Sequence, residues 1–182
     1  MKKTIKLSLF LIIASALSYM GYSIYANMEL KKKLATQTPM PEFVFQTLDG
    51  DRFTRANLKQ EIPVMLVYFN PSCDECIEEA KQLMSHIDWF EDDQIIMVSP
   101  ADSRAIQQFA SDFKLAEHPQ ITVLRDVENS FLSIFGADVF PSIYAYNKYH
   151  KLAMYFRGGA KLQLVYNVMH MEEEIEVSTD GS

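Results

Sequence analysis

Two cysteines occur in the 182 residues, Cys73 and Cys76, within the stretch Phe69-Asn70-Pro71-Ser72-Cys73-Asp74-Glu75-Cys76. Two thiols at this spacing can close a small disulfide ring. They fall where an apolar run, Val64 to Phe69, gives way to a helical pattern carried by Ile77, Ala80, Leu83, Met84 and Ile87. The first turn of a helix leaves backbone N–H groups unpaired and carries the positive end of the macrodipole. The upstream thiol therefore sits where a thiolate is favoured. A thiolate attacks a disulfide, and a second thiol beside it can release the mixed disulfide that forms. The chemistry offered by these residues is dithiol–disulfide exchange. As a structural staple the pair would be poorly placed, because closing so short a loop removes little entropy from the unfolded chain.

The elements that must position this pair follow from pattern and composition. With 48% hydrophobic and 23% charged residues, the chain suits one globular domain plus an extension. Residues 1–39 carry six lysines against one glutamate, so a formal charge of −7 leaves the remaining residues at −12. Such a surface repels phosphate backbones, which argues against nucleic-acid binding. Lys2, Lys3 and Lys6 precede an uncharged run from Leu7 to Ala26, long enough to cross a hydrocarbon core of roughly 30 Å. We expect residues 1–6 to be cytoplasmic and 7–26 to be a single transmembrane anchor in the lipid bilayer. A cleaved signal sequence is the alternative, with Ile24-Tyr25-Ala26 a poor cleavage site. Residues 27–41, with Pro39 and Pro41, read as a tether, 42–171 as the domain and 172–182 as an acidic tail.

Within the domain, Phe43 to Phe53 reads as a hairpin turned by Asp49-Gly50. The central strand leads into the cysteine loop, and the helix after it is predicted to run to about Phe90, with Trp89 and Phe90 capping its apolar face. Ile95 to Val98 and Ile121 to Leu124 read as buried strands, separated by a helix bearing Ile106, Phe109 and Phe113. A short helix is predicted over Val127 to Phe135, stopped by Gly136. The strand Ile143–Tyr146, a turn, the strand Leu152–Phe156 and a final helix from Ala160 to about Met171 complete the chain. No internal repeat is visible. Strands alternating with helices predict an α/β fold, a central mixed sheet flanked by helices, with the Cys73 loop at the carboxyl end of a central strand.

Over about residues 40–170 the chain resembles the thioredoxin superfamily, and within it the TlpA-like, membrane-tethered thiol–disulfide oxidoreductases of bacterial envelopes. The resemblance rests on Cys73-Asp74-Glu75-Cys76 at a strand–helix junction, on Phe135-Gly136 followed by Val139-Phe140-Pro141-Ser142, and on Gly158-Gly159. It implies a thioredoxin-like fold with an extra helix–strand insertion between Cys76 and Pro141. It also implies an attacking, solvent-facing Cys73, a buried resolving Cys76, and a cis Pro141 packed against them. The backbone of Phe140 would offer strand-like hydrogen bonds to a bound segment, with Pro71 and Ser72 beside the same groove. Glu79 matches an acidic residue that assists proton transfer in some relatives; an exposed helical glutamate beside Glu78 is the alternative. The implied partners are protein thiols and disulfides of the envelope and a membrane or soluble thiol electron donor. The domain would face the periplasm or cell exterior from the inner membrane, with no cofactor beyond the redox-active Cys73–Cys76 disulfide and no metal.

Departures from the family pattern carry expectations of their own. Asp74 and Glu75 lie between the cysteines, and two carboxylates beside a thiolate should raise its pKa by like-charge repulsion. That predicts a reducing rather than strongly oxidising potential. Val67 stands where thioredoxin keeps a buried aspartate, and Phe140 is bulkier than the usual residue before the proline. Three other readings remain open. A peroxidase would need a hydroxyl three residues before its cysteine, where Asn70 stands. A copper-binding module could draw on the cysteines, but His86, His118, His150 and His170 show no ligand spacing relative to Cys73. A non-catalytic interaction module would keep the fold without using the thiols.

Overall fold

Near-continuous apolar runs such as Val64–Tyr68 and Ile95–Val98 build a sheet buried on both faces. The structure, a computed structural model, describes residues 38–171. The expected membrane span over 7–26 and the acidic tail over 172–182 lie outside the described residues. Among the described residues no helix is long and apolar enough to cross a membrane. Seven strands, β1 (Val44–Thr47), β2 (Arg52–Thr54), β3 (Val64–Tyr68), β4 (Gln94–Ser99), β5 (Ile121–Arg125), β6 (Ser142–Tyr146) and β7 (Leu152–Arg157), form one mixed sheet in the order β2-β1-β5-β4-β3-β6-β7. β3, β4 and β5 are parallel; the other pairings are antiparallel.

Among the described residues four α-helices cover the sheet: α1 (Asp74–Ser85), α2 (Ser103–Asp112), α3 (Phe131–Phe135) and α4 (Leu162–His170). Met65 and Val67 of β3 pack with Cys76, Ala80 and Leu83 of α1, with Ile106 of α2, and with Leu162 and Val165 of α4. Val64, Leu66 and Tyr68 point to the opposite face, where Phe131 of α3 joins Phe43 and Phe45. The α2–β5 unit is the predicted insertion. It places β5 between β4 and the β1–β2 hairpin, whose Asp49-Gly50 turn is closed by Gly50 N–H to the Thr47 carbonyl at 3.0 Å. Gly50 has φ of 93°, a left-handed conformation that glycine adopts without a Cβ penalty.

Several boundaries differ from the sequence reading. Packing begins within the segment read as tether: Met40 is buried, its N–H donates to the His150 carbonyl at 2.8 Å, and Pro39 bridges Lys151. The first helix stops at Ser85, where Ser85 Oγ donates to the Gln82 carbonyl and the His86 ring lies 3.0 Å from the same oxygen. A 3-10 turn, Ile87–Phe90, follows; it buries Ile87 and Phe90 but leaves Trp89 40% exposed, so Trp89 does not cap the core. α3 is shorter than predicted because the buried Asp126 carboxylate accepts the N–H groups of Ser130 and Phe131, each at 2.9 Å. The first residues of the expected helix are thereby held as a turn.

Candidate active site

The end of β3 and the start of α1 bring the two sulfurs to one place. Asn70 shapes the turn between them. Its Oδ1 accepts the Ser72 N–H at 2.9 Å, its carbonyl accepts the Cys73 N–H at 3.1 Å, and its own N–H points to Cys76 Sγ at 3.5 Å. Cys73 is the N-cap residue of α1 and is half-buried; Cys76, on the first turn, is buried. Both are free thiols. Asp74 and Glu75 occupy the first turn, exposed, where acidic residues complement the helix dipole.

Opposite the cysteines lies the loop before β6. The Phe140–Pro141 peptide bond is cis, as the resemblance implies, and Cys73 Sγ lies 3.7 Å from the Phe140 carbonyl oxygen. Three contacts hold this loop. Gly158 N–H donates to the Pro141 carbonyl at 2.9 Å, the Arg157 guanidinium grips the Asp138 carboxylate in a two-pronged bond of 3.0 and 2.8 Å, and Phe140 packs on Tyr68 with ring centres 4.8 Å apart. Tyr68 in turn stacks on Phe131 at 4.0 Å. Burial, with Asp126 nearby, pushes the Tyr68 hydroxyl up to about 12, so it stays protonated at neutral pH.

Below the sulfurs is a small cavity of about 10 Å³, lined by Cys76, Glu79, Val67, Met97, Pro141 and Leu162 among others. Its size is near the lower limit for a single water. Glu79 is 7% exposed, so the reading of it as an exposed helical glutamate is excluded. Glu79 Oε2 accepts the Ala160 N–H at 3.1 Å, while Oε1 is buried without a hydrogen-bond partner. Burial raises the Glu79 pKa, and the Ala160 N–H opposes that rise. Burial likewise pushes the Cys76 thiol up to about 12. The Asn70 N–H pulls it back, while Cys73 and the Glu75 carboxylate push the same way as burial. A thiol this reluctant to ionise needs a base before it can attack, and among the described residues the carboxylate lining its cavity is Glu79.

The predicted site residues Cys73, Cys76, Pro141, Glu79, Phe140, Pro71, Ser72, Asp74 and Glu75 thus converge on the carboxyl end of β3. The four histidines do not join them: His150 is buried beside Met40, His170 ends α4, and no group of three or more potential metal ligands exists among the described residues. Sequence reading did not assign the structural roles of Asn70, Tyr68, Asp138, Arg157 and Ala160. Only Asn70-Pro71-Ser72, a turn-forming run, carried a local signal.

A thiol pair at the β3–α1 junction facing a cis-proline loop, on a mixed sheet with the added α2–β5 unit, is a thioredoxin-like arrangement. The AhpC/TSA family matches residues 36–153, and the chain belongs to that family. No curated protein sequence matches it. Among solved structures, the chain is similar to a secreted Mycobacterium tuberculosis disulfide oxidoreductase homologous to E. coli DsbE (21% identity, 70% of this chain and 93% of that one, TM-score 0.59). It is also similar to StoA from Bacillus subtilis (17%, 71% and 96%, 0.53) and to a peroxiredoxin-like protein from Aquifex aeolicus (15%, 73% and 85%, 0.58). At these identities the likeness is one of fold.

Proposed function

We propose that the protein is a thiol–disulfide oxidoreductase that exchanges disulfides with other proteins through Cys73 and Cys76. The observation that carries this reading is the pairing of a half-exposed Cys73 at a helix N-cap with a buried Cys76 beneath it. In the reducing direction, the Cys73 thiolate attacks one sulfur of a substrate disulfide. The substrate S–S bond breaks, a Cys73–substrate disulfide forms, and the first substrate sulfur leaves as a thiolate that takes up a proton. Glu79 then accepts the Cys76 proton, and Cys76 attacks Cys73 Sγ. The second substrate thiol is released and the Cys73–Cys76 disulfide remains, so two electrons have passed to the substrate. A thiol electron donor must restore the dithiol.

We assign net reduction because the Glu75 carboxylate disfavours ionisation of Cys76, and an anchor at residues 7–26 would hold the domain at a membrane facing an oxidising compartment. Family membership also calls up a peroxidase. Three residues before Cys73, however, the Asn70 side chain is taken up by the Ser72 N–H and supplies no hydroxyl for a peroxide. The test is a pair of substitutions. Cys76→Ser should accumulate mixed disulfides through Cys73 in envelope extracts, and Cys73→Ser should abolish exchange. Failure to trap any protein, together with rapid peroxide consumption by the pure wild type, would overturn the assignment.

A further inference from the structure

At the opposite end of the sheet from the thiols, the last residue of α4 meets a buried carboxylate. His170 Nε2 lies 3.1 Å from Asp93 Oδ1, within ion-pair reach, while neither oxygen of the Asp93 carboxylate, on a side chain 1% exposed, has a hydrogen-bond partner among the described residues. The other ring nitrogen, Nδ1, lies 2.8 Å from the Tyr166 carbonyl oxygen. A carbonyl oxygen can only accept, so Nδ1 must carry a hydrogen. In a neutral imidazole the second nitrogen is then a bare lone pair. It would face an ionised carboxylate, with two acceptors opposed and no hydrogen between them. A hydrogen bond can form across this contact only when the pair holds one more proton, either on Nε2 or on Asp93.

We propose that Asp93 and His170 form a proton-operated latch that fastens the last turn of α4 to the start of β4 and releases it when the shared proton is lost. The rest of the contact is aromatic. Tyr166 packs under the imidazole at 4.2 Å and meets Phe90 edge-on at 5.8 Å. The other ionisable groups lining this groove are Glu61, Asp88, Glu91, Asp92 and Tyr166. Burial pushes Asp93 up to about 6, with His170 pulling the other way. The Asp92 carboxylate adds to the rise at Asp93, and among the described residues no lysine or arginine lines the groove to oppose it. A proton shared between a carboxylate and an imidazole is lost in the range where histidine changes charge.

Asparagine at position 93 gives the decisive variant, because its carboxamide N–H can donate to the lone pair of a neutral imidazole. Hydrogen exchange of the amides of residues 167–170, expressed as protection factors, reads the last turn directly. In the wild-type chain protection should fall about tenfold or more between about pH 5 and pH 8, as expected for losing a hydrogen bond to a charged group. Asp93→Asn should stay protected at both ends of that range. His170→Ala should be weakly protected at both ends. Wild-type protection that is flat with pH, or an Asp93→Asn variant that behaves like His170→Ala, would overturn the latch.

Discussion

Glu79 is the residue on which the proposed chemistry turns. Its raised pKa means that the folded state holds the proton more tightly than the unfolded chain does. Its ionisation therefore opposes folding as pH rises past the ordinary glutamate range. Glu79→Gln should leave the protein at least as stable as wild type at neutral pH, with any gain vanishing in acid, because glutamine still accepts the Ala160 N–H. The same variant should slow release of the second substrate thiol by about a hundredfold, the lower side of general-base effects, and leave the first attack by Cys73 intact. Single-turnover kinetics separate the two steps. Equal slowing of both would place Glu79 outside the resolving step.

Between elements, α1 and the start of α4 meet at the Glu79 carboxylate. A Cβ on Gly159 would lie 2.9 Å from Glu79 Oε2, so a larger residue there has to displace the carboxylate from the Ala160 N–H. Gly159→Ala should destabilise by about 1–3 kcal/mol as the carboxylate is displaced. The penalty should shrink by about 1 kcal/mol in a Glu79→Ala background, where the obstructing group is gone. Denaturant unfolding of the four chains of this cycle measures the coupling; strict additivity would contradict the contact. Sequence reading placed Gly158-Gly159 at the opening of the last helix, but it did not connect them to Glu79, because the two segments lie 80 positions apart and only the sheet brings them together.

For the molecule as a whole, the N-terminal edge of the domain is held by burial. Met40 and Phe43 are 1% and 3% exposed. Each such side chain contributes roughly 1.5–3 kcal/mol. A chain starting at residue 44 should therefore lose about 3–6 kcal/mol relative to one starting at residue 37. Against a total stability of roughly 5–15 kcal/mol, that is a large fraction. The denaturation midpoint measures it, and equal midpoints would mean that residues 37–43 add nothing to the domain's stability. The −12 charge of residues 40–182 should also keep the domain from binding nucleic acid.

The order of strands and helices and the cysteine junction were legible in the sequence, because apolar periodicity and turn residues act within a few positions of one another; the place of Pro141 came from the family resemblance. So was the chemistry of two thiols at a helix start. Whether Glu79 was buried or solvated, which ring of Trp89-Phe90 turned inward, and whether Asp93 met His170 depended on groups far apart in the chain. Local pattern leaves such long-range contacts open. Their outcome is decided only when the sheet closes, water is excluded, and each buried polar atom either finds a partner or keeps its proton.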